Sequence, residues 1–317
     1  MRKNKLIVLS LLLLGLLLVA CSPEKAEQSS EINTEANSPG ETGLPTTDPA
    51  GNPITVPDSI ERIVSLAPST TEILIEMGYG DRLVAVDTQS KNIEALPANL
   101  VYLDLMSPDI EKLIEMKPDI IYASTMSAIG GVDMLSPLTE FGISVVYIPS
   151  SESIERIYQD IEFIAATLKD EEVGDRIIRE MKSKIEEIRS IGGKVKDKKS
   201  VYFEIGAAPY IYSFGTGVFL NEMIEIIGAE NALADQAGWI SVSEEVILSK
   251  NPDVILTNVN YIEDPVQEIK SRSGWDAIKA VKEDRVYYID NMASSLPNHN
   301  IVKALEEMIA AVYPERD

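Results

Sequence analysis

Two stretches of this chain repeat one another, and that repetition constrains the fold more than any other feature. The segment EILIEMG, Glu72 to Gly78, returns 150 residues later as EMIEIIG, Glu222 to Gly228. The segment SPDIEKLIEMKPDIIY, Ser107 to Tyr122, returns 134 residues later as SVSEEVILSKNPDVIL, Ser241 to Leu256. Ser107 matches Ser241, Glu111 matches Glu245, and Pro118-Asp119 matches Pro252-Asp253. Any two α/β segments share part of such a pattern, but two similar lobes account for all of it.

Around the repeats, short β-branched runs alternate with helical patterns. Arg62–Ala67, Arg82–Val86, Asp119–Ala123 and Ile143–Ile148 read as strands, and Thr70–Met77, Ser107–Lys117 and Gly131–Phe141 as helices. In the second helix Ser107 is the expected cap, with Pro108 at the first position, where no donor is needed. This alternation predicts an α/β fold whose largely parallel sheets are covered on both faces. Between the lobes, Ser151–Leu168 and Asp170–Ile191 read as connecting helices. The second carries Val173, Ile177, Ile178, Met181, Ile185 and Ile188 near helical spacing. At 1.5 Å per residue it would make a rod of about 33 Å. One long helix between lobes predicts small closure around a preformed cleft.

The chain's 317 residues thus divide into a leader at 1–20, a tether at 21–58, an N-terminal lobe at 59–150, connecting helices at 151–192 and a C-terminal lobe at 193–317. The leader places Arg2, Lys3 and Lys5 before an apolar run of 15 residues from Leu6 to Ala20. That is short of the roughly 20 needed to span hydrocarbon. From Ser22 to Asp58 there are seven acids, one Lys and few large apolar groups, which predicts a disordered tether.

Composition excludes several functions. A formal net charge of −23 disfavours nucleic acid. One Cys and one His rule out an internal disulfide and a Cys/His zinc site. There is no GxSxG elbow, Gly215-Thr216-Gly217 is too short for a dinucleotide fingerprint, and Glu204 with Asp235 is the one acid pair to consider, so an enzyme is disfavoured.

The end of the leader, Leu18-Val19-Ala20-Cys21, resembles a bacterial lipobox. That resemblance implies cleavage before Cys21, a lipid on its sulfur and amine, and a protein held on the outer face of the cytoplasmic membrane, at a Gram-positive cell surface. With ERIVSLAPSTTEIL, SPDIEKLIEMKPDII, the connecting helix and FLNEMIEIIGAENALAD, the chain resembles the helical-backbone class of ABC-transporter substrate-binding lipoproteins. The class implies two α/β lobes joined by a long helix. It also implies a corrinoid, ferric siderophore or haem as cargo, hence a cobalt- or iron-containing ligand and no resident cofactor. The partners implied are a permease dimer with its ATPase subunits, met by a monomer. The Ala207–Glu245 segment looks most like the cobalamin branch. In the family, glutamates at the places of Glu72 and Glu222 pair with permease arginines; without the family, each reads as a favourable acid in a first helical turn.

A cleft beyond the carboxyl ends of the strands nominates Pro68, Asp87 to Gln89 and Ser124 to Met126 in the first lobe. In the second it nominates Tyr210, Trp239, Asn258 to Tyr261 and Asn291-Met292. Rings such as Tyr102, Tyr210, Trp239 and Tyr261 suit a flat macrocycle, and amides such as Gln89 and Asn291 suit its periphery. Tyr102 reads equally as packing in a short strand. Trp239, after Gly238, reads as a loop residue, either ligand wall or structural cover. Arg62, Arg82 and Arg285 precede strands, opposite the cleft, and Arg156, Arg176, Arg179 and Arg189 lie on the connecting helices. A cleft without arginine favours a neutral or cationic ligand over citrate or catecholate complexes. His299 reads either as a metal ligand near the cleft or as an ordinary loop residue beside the helix cap Asn300.

Overall fold

A computed structural model describes residues 43–127 and 133–315. Its elements in chain order are β1 (Ile63–Leu66), α1 (Pro68–Glu76), β2 (Leu83–Asp87), β3 (Val101–Leu103), α2 (Ile110–Met116), β4 (Ile120–Ser124) and β5 (Ser144–Ile148). The connecting helices α3 (Ile154–Leu168) and α4 (Glu171–Gly192) follow. The second lobe holds β6 (Ser200–Glu204), β7 (Tyr212–Phe214), α5 (Phe219–Ile226), β8 (Glu230–Asn231), β9 (Trp239–Ser241) and α6 (Glu244–Lys250). It ends with β10 (Val254–Thr257), α7 (Pro265–Ser271), α8 (Lys279–Lys282), β11 (Val286–Tyr288), α9 (Asn291–Ser295) and α10 (Ile301–Val312).

The first sheet runs β3-β2-β1-β4-β5 and the second β11-β10-β6-β8, with every pair in both sheets parallel. A small antiparallel pair, β7 with β9, lies beside the second sheet. The repeats occupy equivalent places in the two lobes. Asp109 and Ser243 stand at the N-caps of α2 and α6, Lys117 and Asn251 both take φ of 47° at the ends of those helices, and β4 and β10 follow. Gly78 and Gly228, at φ of 88° and 79°, close the turns after α1 and α5.

Strand alternation explains how the lobes are joined. Ile63, Ile120 and Tyr122 of the first sheet, with Val201, Phe203, Val254 and Leu256 of the second, face one continuous core shared with α3, α4, α5 and α10. Val64, Leu66 and Ile121 turn to a separate cluster under α2, and Tyr202 and Ile255 to another containing Trp275. The end of α4 is seated against the second lobe by backbone contact. A Cβ on Gly192 would lie 2.3 Å from the Ile226 carbonyl oxygen.

Four expectations are corrected. Residues 43–58, expected to belong to the tether, include groups held by the folded part of the chain. Asp48 is buried and accepts from the Tyr147 N–H (2.9 Å) on β5, and Lys169 Nζ donates to the Pro57 and Asp58 carbonyls. Ser107 does not cap α2; the Asp109 carboxylate does, accepting from Lys112 N–H at 3.0 Å. Of the helix expected at Gly131–Phe141, the described part is a 3-10 segment, Ser136–Phe141. Trp239 is not in a loop but in β9, paired with Phe214. Cys21 and the leader lie outside the described residues.

Gly192→Ala is expected to lower stability by about 2–3 kcal/mol, because the methyl meets backbone that no rotamer change can move. Urea unfolding checks this, with Gly193→Ala as a milder comparison, since its Cβ would meet the Arg189 carbonyl oxygen at 3.2 Å.

Candidate functional site

The carboxyl ends of the first sheet open on a cavity of about 370 Å³. Its wall is built loop by loop: Ala67 to Thr70 after β1, Asp87 to Gln89 after β2, Asp104 to Met106 after β3, Ser124 and Met126 after β4, and Ile148 to Ser150 after β5. Asp160 of α3 closes one side, and Ser295, Leu296 and Pro297 of the second lobe close the other.

Buried polar groups shape this wall. Asp87 accepts from Gln89 N–H (2.7 Å) and Leu105 N–H (3.3 Å), tying two cavity loops together. Burial raises its pKa above the ordinary carboxylate value. Beneath the floor, Thr71 Oγ1 donates to Ser65 Oγ (2.8 Å) and receives Ser90 Oγ (3.4 Å). Asp160 accepts from Ser151 Oγ at 2.5 Å, and burial lifts its pKa to about 6.

Three carboxylates, Asp87, Asp104 and Asp160, therefore line a cavity to which the described residues contribute no Lys, Arg or His. Arg272 is held elsewhere. Its guanidinium meets both Glu204 oxygens at 2.7 Å, pairs with Glu268 and lies over the Trp275 ring. That arrangement also removes the Glu204–Asp235 acid pair, because Asp235 instead meets Lys250 at 2.9 Å.

The cavity brings Pro68, Gln89 and Met126 together, the last 56% exposed. Tyr102, Tyr210, Trp239, Tyr261 and Asn291 do not line it. Tyr102 stands on edge strand β3 with Lys91 Nζ over its ring at 5.7 Å. Trp239 packs edge-on against Phe214 and Phe219, at 6.0 and 6.2 Å between ring centroids, and stays half exposed. Tyr210 and Tyr261 project from the loops after β6 and β10, 79% and 67% exposed, and Tyr261 Oη accepts from Ala207 N–H. Asn291 belongs to an amide network, accepting from Asn260 Nδ2 (2.9 Å) and donating to the Asn258 carbonyl (2.6 Å). Sequence reading missed Asp104 to Met106, Asp160 and Ser295 to Pro297. The first follows a three-residue strand, and the others reach the cavity through tertiary packing that no local pattern encodes.

Glu72 and Glu222 each hold a neighbouring segment. Glu72 on α1 accepts from Asn298 Nδ2 of the second lobe, and burial raises its pKa while the Asn298 and Asn300 amides oppose the rise. Glu222 Oε2 on α5 accepts from Ile154 N–H (3.0 Å) at the first turn of α3.

His299 is displaced from the cleft expected of it. It lies in a crevice with Glu76, Ile177, Met181 and Val302, its Nε2 3.9 Å from Glu76 and its buried Nδ1 without a hydrogen-bond partner among the described residues. Among the described residues no group of three or more His, Cys, Asp or Glu side chains converges as a metal site.

Burial holds the His299 imidazole down to about 4, against an ordinary 6.5. The unfolded chain therefore takes the proton first, and this group removes stability as pH falls from about 6.5 towards 4. Asp160 acts oppositely, removing stability as pH rises from about 4 to 6. As the chain's single histidine, His299 gives one readable NMR titration. Its resonance should remain that of neutral imidazole down to about pH 5, and cobalt(II) should leave it unshifted. A midpoint near 6.5 or a cobalt shift would contradict this placement.

A family profile described as Periplasmic binding protein matches residues 63–293. A Bacillus subtilis protein named as an uncharacterized ABC transporter substrate-binding lipoprotein, YvrC, is 32% identical over 99% of both chains. A molybdate-binding protein of Haemophilus influenzae is 28% identical, covering 85% of each chain. A vitamin B12-binding protein of Vibrio cholerae is 26% identical over 80% of this chain and 89% of its own. A solved structure from Staphylococcus epidermidis, described as a possible iron-binding periplasmic solute-binding protein, superposes with a TM-score of 0.71 at 32% identity. It covers 80% of this chain and 99% of its own.

Proposed function

This chain belongs to the periplasmic binding protein family and is a substrate-binding protein of an ABC transporter, and from that premise we propose that it captures a corrinoid and delivers it to its importer. The observation that carries this reading is the charge of the cleft. Three aspartates and no described cation line it, beside the apolar surfaces of Pro68, Leu105, Met106, Met126, Leu296 and Pro297. An oxyanion such as molybdate, or haem with its carboxylates, would meet repulsion there, with no guanidinium among the described lining residues to offset it. A neutral or cationic complex with a large apolar face would not. Exposed Tyr210 and Tyr261 add aromatic surface at the carboxyl ends of the second sheet.

A ferric hydroxamate siderophore is the second reading, favoured by the same charge. In either case the cobalt or iron belongs to the cargo. Cys21 is the lipid anchor on this reading, holding the monomer at the outer face of the cytoplasmic membrane of a Gram-positive cell. Glu72 and Glu222 take up permease arginines, one on each lobe. No chemical step is assigned to the protein itself.

Calorimetry of the soluble protein should give one-to-one binding of cyanocobalamin or cobinamide and no heat with molybdate or ferric citrate. Gln89→Ala should weaken that binding about ten-fold through one lost amide contact. Binding of the anions in place of the corrinoids would overturn the charge argument.

Glu72→Gln with Glu222→Gln tests docking more cleanly than charge reversal, because glutamine keeps an oxygen for each intramolecular contact. Ligand affinity in solution should be unchanged. Complex formation with the reconstituted permease, and its stimulated ATP hydrolysis, should fall most at low salt. Normal stimulation by the double variant would remove the docking assignment.

A further inference from the structure

The hydrogen bond between Glu72 and Asn298 links two parts of the molecule with different tasks. Asn298 is fully buried, and its Oδ1 accepts from Asn300 N–H at 2.8 Å, which turns its amide NH₂ towards Glu72. The three residues before it, Ser295, Leu296 and Pro297, are the second lobe's share of the cavity wall. Their other end is fastened within the second lobe, because Asn258 Nδ2 donates to Ser294 Oγ (2.9 Å) and Ser295 Oγ (3.1 Å). This wall therefore spans from its own lobe to α1 of the other, and the contact at the far end is made by Glu72.

We propose that Asn298 is a positioning residue that couples docking to release: it holds the Ser295–Pro297 wall against α1 through Glu72, and a permease arginine that takes the Glu72 carboxylate frees that wall. The coupling rests on the docking role proposed above for Glu72, whereas the holding of the wall does not. The exchange is chemically favourable. A guanidinium presents two parallel charged donors to a carboxylate, and its bond is shorter and stronger than one from a neutral amide. A half-buried carboxylate already bonded to Asn298 must give up or share an oxygen to accept it. Because a partner that prefers the unlatched form shifts the equilibrium by its differential affinity, docking and ligand retention oppose each other through this contact, and the opposition is reciprocal. The second lobe's glutamate is placed comparably. Glu222 bonds the head of α3 just after Pro149 and Ser150, which also wall the cavity.

The test uses the full chain with Asn298→Ala, Asn298→Asp and Glu72→Gln. Asn298→Asp keeps an oxygen for Asn300 N–H and so preserves the local turn, but it replaces the donor with a group that repels Glu72. Glu72→Gln keeps an acceptor for Asn298. Hydrogen exchange of the 293–296 amides is measured without ligand, and dissociation of cyanocobalamin and cobinamide by stopped flow. Affinity for the reconstituted permease is measured alongside, and far-UV circular dichroism checks the fold. Both Asn298 variants should raise exchange in that segment and speed dissociation by about ten-fold, while binding the permease more tightly. Glu72→Gln should leave exchange near that of the unaltered protein while weakening the permease complex. Unchanged exchange in a folded Asn298→Asp protein overturns the latch. Raised exchange with unchanged permease affinity overturns the coupling. If neither corrinoid binds, the ligand reading fails, and the exchange measurement still decides the latch.

Discussion

The rest of the structure depends on one apolar core that does not stop at the lobe boundary. Ile157, Ile161 and Ile164 of α3 and Ile177, Met181 and Ile185 of α4 are buried in the same cluster as residues from both sheets. Separating the lobes would expose part of this surface, at roughly 25 cal/mol for each Å² uncovered. The connecting helices are therefore a structural element of both lobes. The Gly192 contact, where only hydrogen fits between α4 and the backbone after α5, fixes one end of that element. Such a frame opposes movement of one lobe against the other.

Polar contacts then decide how the cleft is held and what it admits. Asp87 organises two cavity loops by accepting from their backbone, and those N–H donors oppose the rise in its pKa that burial causes. Arg272, the arginine on the second lobe's α7 side, is neutralised by Glu204 and Glu268 and brings no positive charge to the cavity lining. The outcome is a cavity whose acidic lining is set by what its loops need for their own geometry. The wall residues Ser295 to Pro297 are fastened by amide side chains, Asn258 at one end and Asn298 at the other.

Much of the fold was legible in the sequence because its signals are local. The paired segments placed Asp109 with Ser243 and Lys117 with Asn251 at equivalent positions, and β-branched runs between helical patterns gave the parallel order its basis. Part of the first lobe's cavity wall was also readable, since Pro68, Gln89 and Met126 each follow a strand, and strand ends point to that cavity. Local signals failed where competing caps were close together, so that Asp109 displaced Ser107. They failed again where a polar segment was ordered by a distant partner, as Asp48 is by Tyr147.

What the sequence alone determined was the class: two similar α/β lobes, long connecting helices, and a composition with too few Cys and His for a disulfide or a zinc site. Periodicity and caps contain that information because they arise from contacts within a few turns of chain, and the Cys and His counts need no contact to be read. Tertiary structure alone decided that His299 sits behind the cleft, that Trp239 lies in a strand packed on Phe214, and that Arg272 is consumed by two glutamates. It alone brought Glu72 to Asn298, 226 residues apart. Those outcomes depend on which loops meet when two lobes close on a shared core, and the chain between the meeting residues carries no signal of the encounter.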